Sequence, residues 1–390
     1  MSHPVSHSRR LLAVVTAVLV AAFAGLSLGA HPAAAKGKTA KSAKAKKAAW
    51  NGVDTGKYFV FRTRDTGAPA TNAQNTKCNN HFGLRALTTL TRLNALLFAY
   101  GANDSTGRID DQTKSLLGPG FLCAVPNVAA NDTLDAYAYS TLPGPGTVEA
   151  AGGCNLAPVV ITNLPLLLNC QMQIRSNAAG VTGGLITSNS LVNTLNRSDT
   201  APTGSVWTAH VLGNAPNPAP GTNPTPPNIG PETPGLDFFT FRTRDEVVTA
   251  TSPTCGQLGV SKEIAVRTAN FAVAEPDPVS GQVPEAVGPP VGKLTVCYLY
   301  KSNEGYGVAT LATLKTAAGT FEIKTRGECK SKSTPASALL LVQACNLPVG
   351  SGSTKGGLVT SNGLIEQGKP ASAANSAVWT YALFGAPPAA

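Results

Sequence analysis

Acidic residues recur at matching positions in this chain and could catalyse the same reaction at two sites. Asp65 recurs as Asp245, and Glu149 recurs as Glu322, at matching places in two related stretches of sequence. Two carboxylates that flank one bond can divide the work of glycoside hydrolysis between them. The competing interpretation is structural, since two arginines stand beside Asp65 and allow an ion pair or a turn cap. We expect a hydrolase site only if Asp65 and Glu149 converge in an open cleft.

Histidines give a weaker indication of catalysis. After residue 35 the chain carries only His81 and His210, both in the first of the two related stretches. Histidine is the usual acid-base group near neutral pH, so a serine-histidine-acid triad exists in at most one copy. Strand alternation places His210 on an outward face. We therefore predict that His210, and likewise His81, is an ordinary surface residue.

The cysteines form a duplicated framework. They are separated by 45, 31 and 16 positions in the first copy and by 42, 32 and 16 in the second: Cys78, Cys123, Cys154 and Cys170, then Cys255, Cys297, Cys329 and Cys345. Eight cysteines suit an oxidising compartment, and four per copy allow three pairings. The constant gap of 16 favours joining the first to the second and the third to the fourth. Their wide spacing and the lack of a recurring histidine argue against zinc, so we predict no metal and no cofactor.

Arginines are the best candidates for a contact surface. Arg62 and Arg64 recur as Arg242 and Arg244, on the outward faces of two predicted strands. Guanidinium groups suit anionic partners because they offer several donors in one plane. The alternative is that they form ion pairs across neighbouring strands.

The copies share more than cysteines. Segment 58–65 returns as 238–245, the Gly183–Asn189 motif returns as 356–362, and Val206-Trp-Thr208 returns as Val378-Trp-Thr380. The period is near 175 residues, whereas solenoid units repeat every ~20–50 residues. These are two whole domains. The paired glycines that open the 183–189 motif indicate a turn or bulge with positive φ.

Alternation with period two indicates mainly β structure. The predicted inward sets are Phe59, Phe61 and Thr63 with Trp207, Ala209 and Val211, and in the second copy Phe239, Phe241 and Thr243 with Trp379, Tyr381 and Leu383. Further strand candidates are 121–125, 136–142, 159–168 and 185–188. Many short strands between Gly, Pro and Asn predict two tandem disulfide-stapled β-sandwich-like domains. Leucines at helical spacing over 84–99 predict one short helix in the first domain, and 262–274 fits helix or strand.

The domain plan has five parts. We predict a signal peptide over 1–35, a Lys/Ala-rich disordered tail over 36–56, a β domain over 57–213, a Pro-rich linker over 214–236 and a second β domain over 237–386. Arg9 and Arg10, the apolar run that follows and Ala33–Ala35 are typical of a secretory signal. The run is close to the ~20 residues that span a bilayer, so an uncleaved anchor is the alternative. The protein is expected to be secreted, periplasmic or on the cell surface.

Charge separates the tail from the domains. The net charge is +10, of which the first 50 residues supply +8, from two arginines and six lysines with no acid, and the other 340 supply +2. The domains therefore do not indicate specific nucleic-acid binding, whereas the tail could adhere to an anionic cell-surface polymer or lipid. We interpret the chain as an exported non-catalytic surface, matrix or binding protein. A secreted hydrolase with a carboxylate pair and a tandem polysaccharide-binding module are the alternatives. The oligomeric state does not follow from the sequence.

Overall fold

The computed structural model describes most of the chain after residue 55. The described ranges are 56–87, 91–102, 106–127, 133–157, 166–177, 179–192, 205–216, 236–244, 246–285, 288–302, 305–316, 319–334, 337–349, 354–367 and 375–385. They all belong to one contact unit that runs from Trp50 to Ala390. The predicted signal segment, the lysines of the tail and residues 217–235 of the linker lie outside the described residues.

The first copy is an antiparallel sheet that closes on itself. Its strands are β1 (Lys57–Asp65), β2 (Thr91–Ala102), β3 (Ile109–Pro126), β4 (Thr133–Leu142), β5 (Gly146–Ala157), β6 (Leu166–Ile174), β7 (Val181–Val192) and β8 (Ser205–Gly213). Helix α1 (Asn72–Phe82) and a 3-10 turn (Gly83–Leu87) lie between β1 and β2. Each strand pairs with the next, and β8 pairs with β1, so the eight strands form a closed barrel.

The second copy repeats this plan with two short additions. Its elements are β9 (Leu236–Arg244), β10 (Val247–Thr249), α2 (Pro253–Gln257), β11 (Ala265–Val273), β12 (Gln282–Val283), β13 (Pro290–Lys301), β14 (Gly305–Thr316), β15 (Gly319–Thr334), β16 (Ser337–Val349), β17 (Gly357–Glu366) and β18 (Ser376–Phe384). Strand β9 pairs with both β18 and β11, which closes a second barrel of eight strands. Strand β10 pairs antiparallel with β11, and β12 pairs with β1 of the first barrel.

The mainly β, tandem and disulfide-bonded character is confirmed, but the sandwich prediction is wrong. A sandwich and a small barrel show the same alternation of inward and outward residues along each strand. They differ in whether the first strand pairs with the last. That pairing is made by Phe61 opposite Trp207 in the first copy and by Phe241 opposite Trp379 in the second.

The predicted inward aromatic and aliphatic sets fill the barrel interiors. Phe59, Phe61 and Trp207 are 0%, 0% and 8% exposed and pack in the first core. In the second core, the rings of Phe241 and Tyr381 meet edge to face with centroids 5.6 Å apart. An eight-stranded barrel has an interior that side chains can fill. Aromatic and aliphatic side chains occupy the interiors of both barrels.

The helix of the first copy lies earlier than predicted. The leucine pattern over 84–99 indicated a helix, but most of that segment forms β2, and α1 begins at Asn72 instead. Leu93 and Leu97 are four positions apart, a spacing that fits both one helix face and one strand face. The correct signal was the capping box of Thr71 and Gln74, in which each side chain binds the other residue's backbone N–H. Segment 262–274, left open between helix and strand, contains β11.

The disulfides join the cysteines in the predicted order. Cys78–Cys123 ties α1 to the outside of β3, and Cys255–Cys297 ties α2 to β13. The other two connect directly opposite residues of neighbouring strands, Cys154–Cys170 between β5 and β6 and Cys329–Cys345 between β15 and β16. No disulfide crosses from one copy to the other among these four, which include every cysteine. In the described part of the chain, no helix is long and apolar enough to cross a membrane.

Removing a cross-strand disulfide should have the same effect in either barrel. Both enclose a sequence separation of 16 residues, and loop-closure entropy assigns roughly 3 kcal/mol to a loop of that size. The double variants Cys154→Ala/Cys170→Ala and Cys329→Ala/Cys345→Ala should each lower the free energy of unfolding by about that amount. Guanidinium titration measures it. A loss below ~1 kcal/mol in both variants would show that strand pairing alone restrains this loop.

Candidate functional site

The outer face of β1, β7 and β8 is covered by the second barrel. Tyr58 and Val60, which alternate with the inward Phe59 and Phe61, are only 3% and 0% exposed. They belong to an apolar cluster shared by the two copies: Tyr58, Val60, Tyr100, Ala102, Ile109 and Val206 from the first, and Leu236, Phe238, Ala274, Val283, Leu358, Val378, Ala382 and Phe384 from the second. Both faces of β1 are therefore buried. We call this shared region the barrel–barrel face.

Reciprocal hydrogen bonds cross the barrel–barrel face. The side-chain amide of Asn189 donates to the carbonyl oxygen of Leu358 at 2.8 Å. The side-chain amide of Asn362 donates to the carbonyl oxygen of Leu185 at 2.8 Å. Asn189 corresponds to Asn362, and Leu185 to Leu358, in the repeated motif. Each copy thus gives the other the same bond that it receives.

The equivalent threonines mark the centre of this symmetry. Thr208 and Thr380 are corresponding residues of β8 and β18, and their hydroxyl oxygens lie 3.4 Å apart. A residue that contacts its own counterpart lies on a two-fold axis. The two barrels are therefore related like the subunits of an isologous dimer, although they belong to one chain.

The predicted arginine contact surface is largely taken up by this face. Arg62 is 4% exposed, with its guanidinium carbon 5.9 Å from the ring centroid of Phe238. Its counterpart Arg242 is 7% exposed and stands 5.5 Å from the ring of Tyr58, the counterpart of Phe238. Burial lowers the pKa of Arg242. The prediction that these two meet an external partner is wrong, because each contacts an aromatic ring of the other barrel.

The remaining two arginines of the predicted surface are half-buried. Arg64 is the second-last residue of β1, and Arg244 is the last residue of β9. Arg244 donates to the carbonyl oxygen of Glu285 at 2.8 Å. Their contact with an anionic partner stays a prediction.

Backbone hydrogen bonds also cross the barrel–barrel face as a reciprocal pair. The backbone N–H of Val60 donates to Gly281, and that of Thr240 donates to Gly107, both at 2.9 Å. Val60 and Thr240 are counterparts. Each acceptor lies in the connection between the second and third strands of the other barrel. Each barrel thus reaches across to the first strand of its partner.

The glycine pairs allow neighbouring strands to approach closely beside this face. Gly184 and Gly357 have φ of +131° and +153°, and a Cβ would lie 1.9 Å from the carbonyl oxygen of His210 and 2.1 Å from that of Ala382. The register of β7 shifts between Val181 and Gly183. The predicted positive φ is confirmed at both glycine pairs, and the predicted bulge is confirmed at the first pair.

His210 is not a surface residue, contrary to prediction. Its ring is 0% exposed and stacks on Tyr58, with ring centroids 4.1 Å apart and planes at 7°. It points outward from its own barrel, as strand alternation required, but the second barrel covers that side. Its counterpart in β18 is Ala382, so the pair exists in one copy only.

The other histidine belongs to a polar cluster beside α1 that includes Lys77, His81, Tyr137, Glu149 and Arg175. Lys77 on the helix forms an ion pair with Glu149 of β5. The ring of His81 stacks on Tyr137 at 4.9 Å, and its Nδ1 lies 3.0 Å from a guanidinium nitrogen of Arg175. These contacts hold the helix against the outside of the barrel. We call this set the α1 cluster.

Two side chains of the α1 cluster have shifted acidities. The hydrogen bond from Lys77 holds the pKa of Glu149 below its usual value. Burial, and then the charge of Arg175, lower the pKa of His81. The cluster therefore contains a carboxylate and a neutral imidazole at neutral pH, both already bonded to basic side chains.

The repeated carboxylates do not converge. In an eight-stranded ring β1 and β5 lie on opposite walls, so Asp65 at the end of β1 is remote from Glu149. Asp65 accepts a hydrogen bond from the backbone N–H of Gly67 at 2.9 Å, as a turn cap does. Glu322 is exposed on β15, and Asp245 lies outside the described residues. The condition for a paired-carboxylate hydrolase is not met by Asp65 and Glu149.

Sequence reasoning missed a buried polar network at one end of the second barrel. Arg267 and Glu246, 5% and 2% exposed, form an ion pair. Arg267 also donates to the hydroxyl of Tyr298 at 2.9 Å and to the amide oxygen of Gln343 at 3.1 Å. Counted from the disulfides, the positions of Arg267, Tyr298 and Gln343 in the first copy hold Leu93, Ala124 and Leu168. The network is specific to one copy.

Comparison with known proteins gives no family assignment. No protein family matches the sequence, and no curated protein shows significant similarity to it. Within the described ranges, no three histidine, cysteine or acidic side chains gather to hold a metal ion. The fold itself defines the class, which is a tandem pair of closed antiparallel barrels joined by a pseudo-two-fold face.

Removing either interface asparagine should destabilise the protein. Asn189→Ala and Asn362→Ala each leave a buried carbonyl without its donor, a loss of about 1–3 kcal/mol in the free energy of unfolding. Asn362 should cost more, because it also donates to the carbonyl oxygen of Thr208 at 3.1 Å. Asn155→Ala, on the exposed part of β5, is the control and should change little. Equal values for all three variants in urea unfolding would contradict the assignment.

The α1 cluster should make stability depend on pH through His81. Its folded-state pKa lies below the ordinary value of 6.5, so it contributes stability that is present above pH 6.5 and lost as the pH falls through the folded pKa. His81→Gln should therefore show a smaller loss of stability on acidification than the native protein. Guanidinium unfolding on either side of pH 6.5 measures this, with Asn80→Gln as control. An unchanged pH dependence in His81→Gln would refute it.

Proposed function

We propose that this chain is an exported, non-catalytic surface or matrix protein. Its two barrels act as one body, and its Lys-rich tail attaches that body to an anionic cell-surface polymer. The proposal is carried by the places that the recurring motifs occupy in the fold. In both copies they build the barrel cores and the barrel–barrel face. A duplicated catalyst would instead be expected to keep its reactive groups in both copies.

The chemistry-bearing groups that the two copies do not share support the same proposal. The α1 cluster and the network around Arg267 consist of side chains that bond to one another. Each holds an added element against a barrel, one the helix α1 and the other the segment that follows β9. A role in stabilising the fold therefore accounts for both groups of side chains.

A polysaccharide-binding role receives less support. Sugar rings are commonly held on exposed aromatic platforms. Among the described residues, Tyr300 is the single large aromatic side chain counted as exposed, at 49%. Its ring covers Gly307, where an added Cβ would lie 2.2 Å from a ring carbon. Tyr300 thus fills the gap left by a glycine on the neighbouring strand.

Export and attachment rest on the N-terminal sequence and on the disulfides. Four disulfides suit an oxidising compartment. Signal cleavage after Ala35 would leave Lys36 as the first residue and six lysines within the first twelve positions, 36–47. A cationic segment binds anionic polymers by releasing their counterions, without needing a pocket. The barrels, at a net charge near +2, would stay away from that surface.

Charge removal from the tail tests attachment. The variant with all six tail lysines changed to glutamine keeps the length of the tail and removes its charge. At about 1 kcal/mol per lysine near an anionic surface, the affinity for immobilised wall teichoic acid should fall at least 100-fold. The matched control changes the same lysines to arginine and should bind like the native tail. Phosphatidylglycerol vesicles, assayed in parallel, show whether lipid is the better surface.

Salt dependence gives a second readout. The Debye length falls to ~3 Å at 1 M salt, so the native protein should be released there. Binding that survives both 1 M salt and the lysine-to-glutamine changes would show that the barrels, and not the tail, contact the polymer.

A further inference from the structure

We infer that each barrel carries a self-complementary binding surface whose partner is another barrel of the same kind. The linker would then be unnecessary for holding the two together. This goes beyond the proposed attachment function, because it concerns what the barrels recognise. The partner class is a second copy of this barrel.

Reciprocity is the first argument. Four independent kinds of contact occur twice, with the roles of the two copies exchanged. They are the asparagine-to-carbonyl bonds, the arginine–aromatic contacts, the backbone bonds to Gly107 and Gly281, and the apolar packing of corresponding residues. Thr208 and Thr380 meet on the axis. Contacts of this kind arise when a surface binds its own copy, and they are expected if a self-pairing single barrel was duplicated in tandem.

The composition of the face is the second argument. It combines a large apolar cluster with threonine and asparagine side chains that bond across it, as in stable protein–protein interfaces. A second apolar cluster continues it, formed by Leu185 and Leu212 from the first barrel and Leu340, Val342, Ala344 and Leu364 from the second. A separate barrel would expose these residues to water. Covering them with another barrel is therefore favourable whether or not a linker is present.

Some contacts are not reciprocal, and they determine which barrels pair best. Arg108 forms an ion pair with Asp237 at 2.6 Å, and the hydroxyl of Ser115 donates to the carbonyl oxygen of Pro278 at 2.7 Å. These contacts favour a first barrel with a second barrel over two identical barrels.

Cutting the linker of the whole protein tests the inference. A site for a specific protease is inserted between residues 217 and 235, and the folded, oxidised protein is cleaved there. All four disulfides lie within single copies, so no covalent bond then joins the halves. Well-matched interfaces bind with micromolar or tighter constants. At about 10 µM the cleaved halves should therefore migrate as one species of the original mass.

Variants on the axis identify the surface responsible. The double variant Thr208→Arg/Thr380→Arg sets two positive charges against each other and should weaken association of the cleaved halves at least 100-fold. The matched control is Thr147→Arg/Thr320→Arg, two exposed corresponding residues far from the axis in sequence, which should leave association unchanged. If the axis variant does not fold, Asn189→Ala/Asn362→Ala serves in its place and should also weaken association.

Analytical ultracentrifugation and near-ultraviolet circular dichroism supply the readouts. Co-migration of the cleaved native halves, with separation of the axis or asparagine variant, supports the inference. Separation of the cleaved native halves, folded or unfolded, overturns it. It is also overturned if every variant co-migrates as the native halves do, because another contact would then hold the barrels together.

Discussion

The pseudo-two-fold contact between the barrels is the constraint on which the rest of this structure depends. Because β1 and β9 are buried on both faces, their outward residues must be apolar or paired. This accounts for the stacking of His210 on Tyr58 and for the arginines that lie over rings of the opposite barrel. It also explains why the motif around Asn189 recurs. That motif provides a bond to the other copy as well as a strand of its own barrel.

Barrel closure supplies the rigid surface that this contact requires. Each ring of eight strands is filled by aromatic and aliphatic side chains, and each is fastened by one disulfide between neighbouring strands. The second disulfide of each copy attaches a helix to the outside, away from the first strand. The local elements that differ between the copies are stabilised separately. The α1 cluster serves the first barrel, and the network around Arg267 serves the second.

Much of the fold was predictable because the residues concerned interact with sequence neighbours or with a recurring partner. Alternation identified the inward sets of both copies, the constant cysteine gap favoured a local disulfide, and the paired glycines indicated a bulge. The errors have physical causes. Leu93 and Leu97 fit helix and strand periods equally well. His210 was correctly placed outside its barrel, yet a neighbouring domain covers it. The network of Arg267 and Glu246 joins residues that no sequence pattern connects.

The sequence by itself determined the duplication, the β character and the separation of a basic tail from nearly neutral domains, and it favoured the disulfide pairing that the structure shows. These follow from local periodicity, spacing and composition, which do not depend on how distant segments meet. The tertiary structure decided that the strands close into barrels and that the second copy covers the first. Both depend on which distant strands pair. The sequence pattern of an outward-facing side chain is the same whether water or another barrel lies beyond it. That is why Arg62 and Arg242 indicated an external surface and prove to be buried between the two copies.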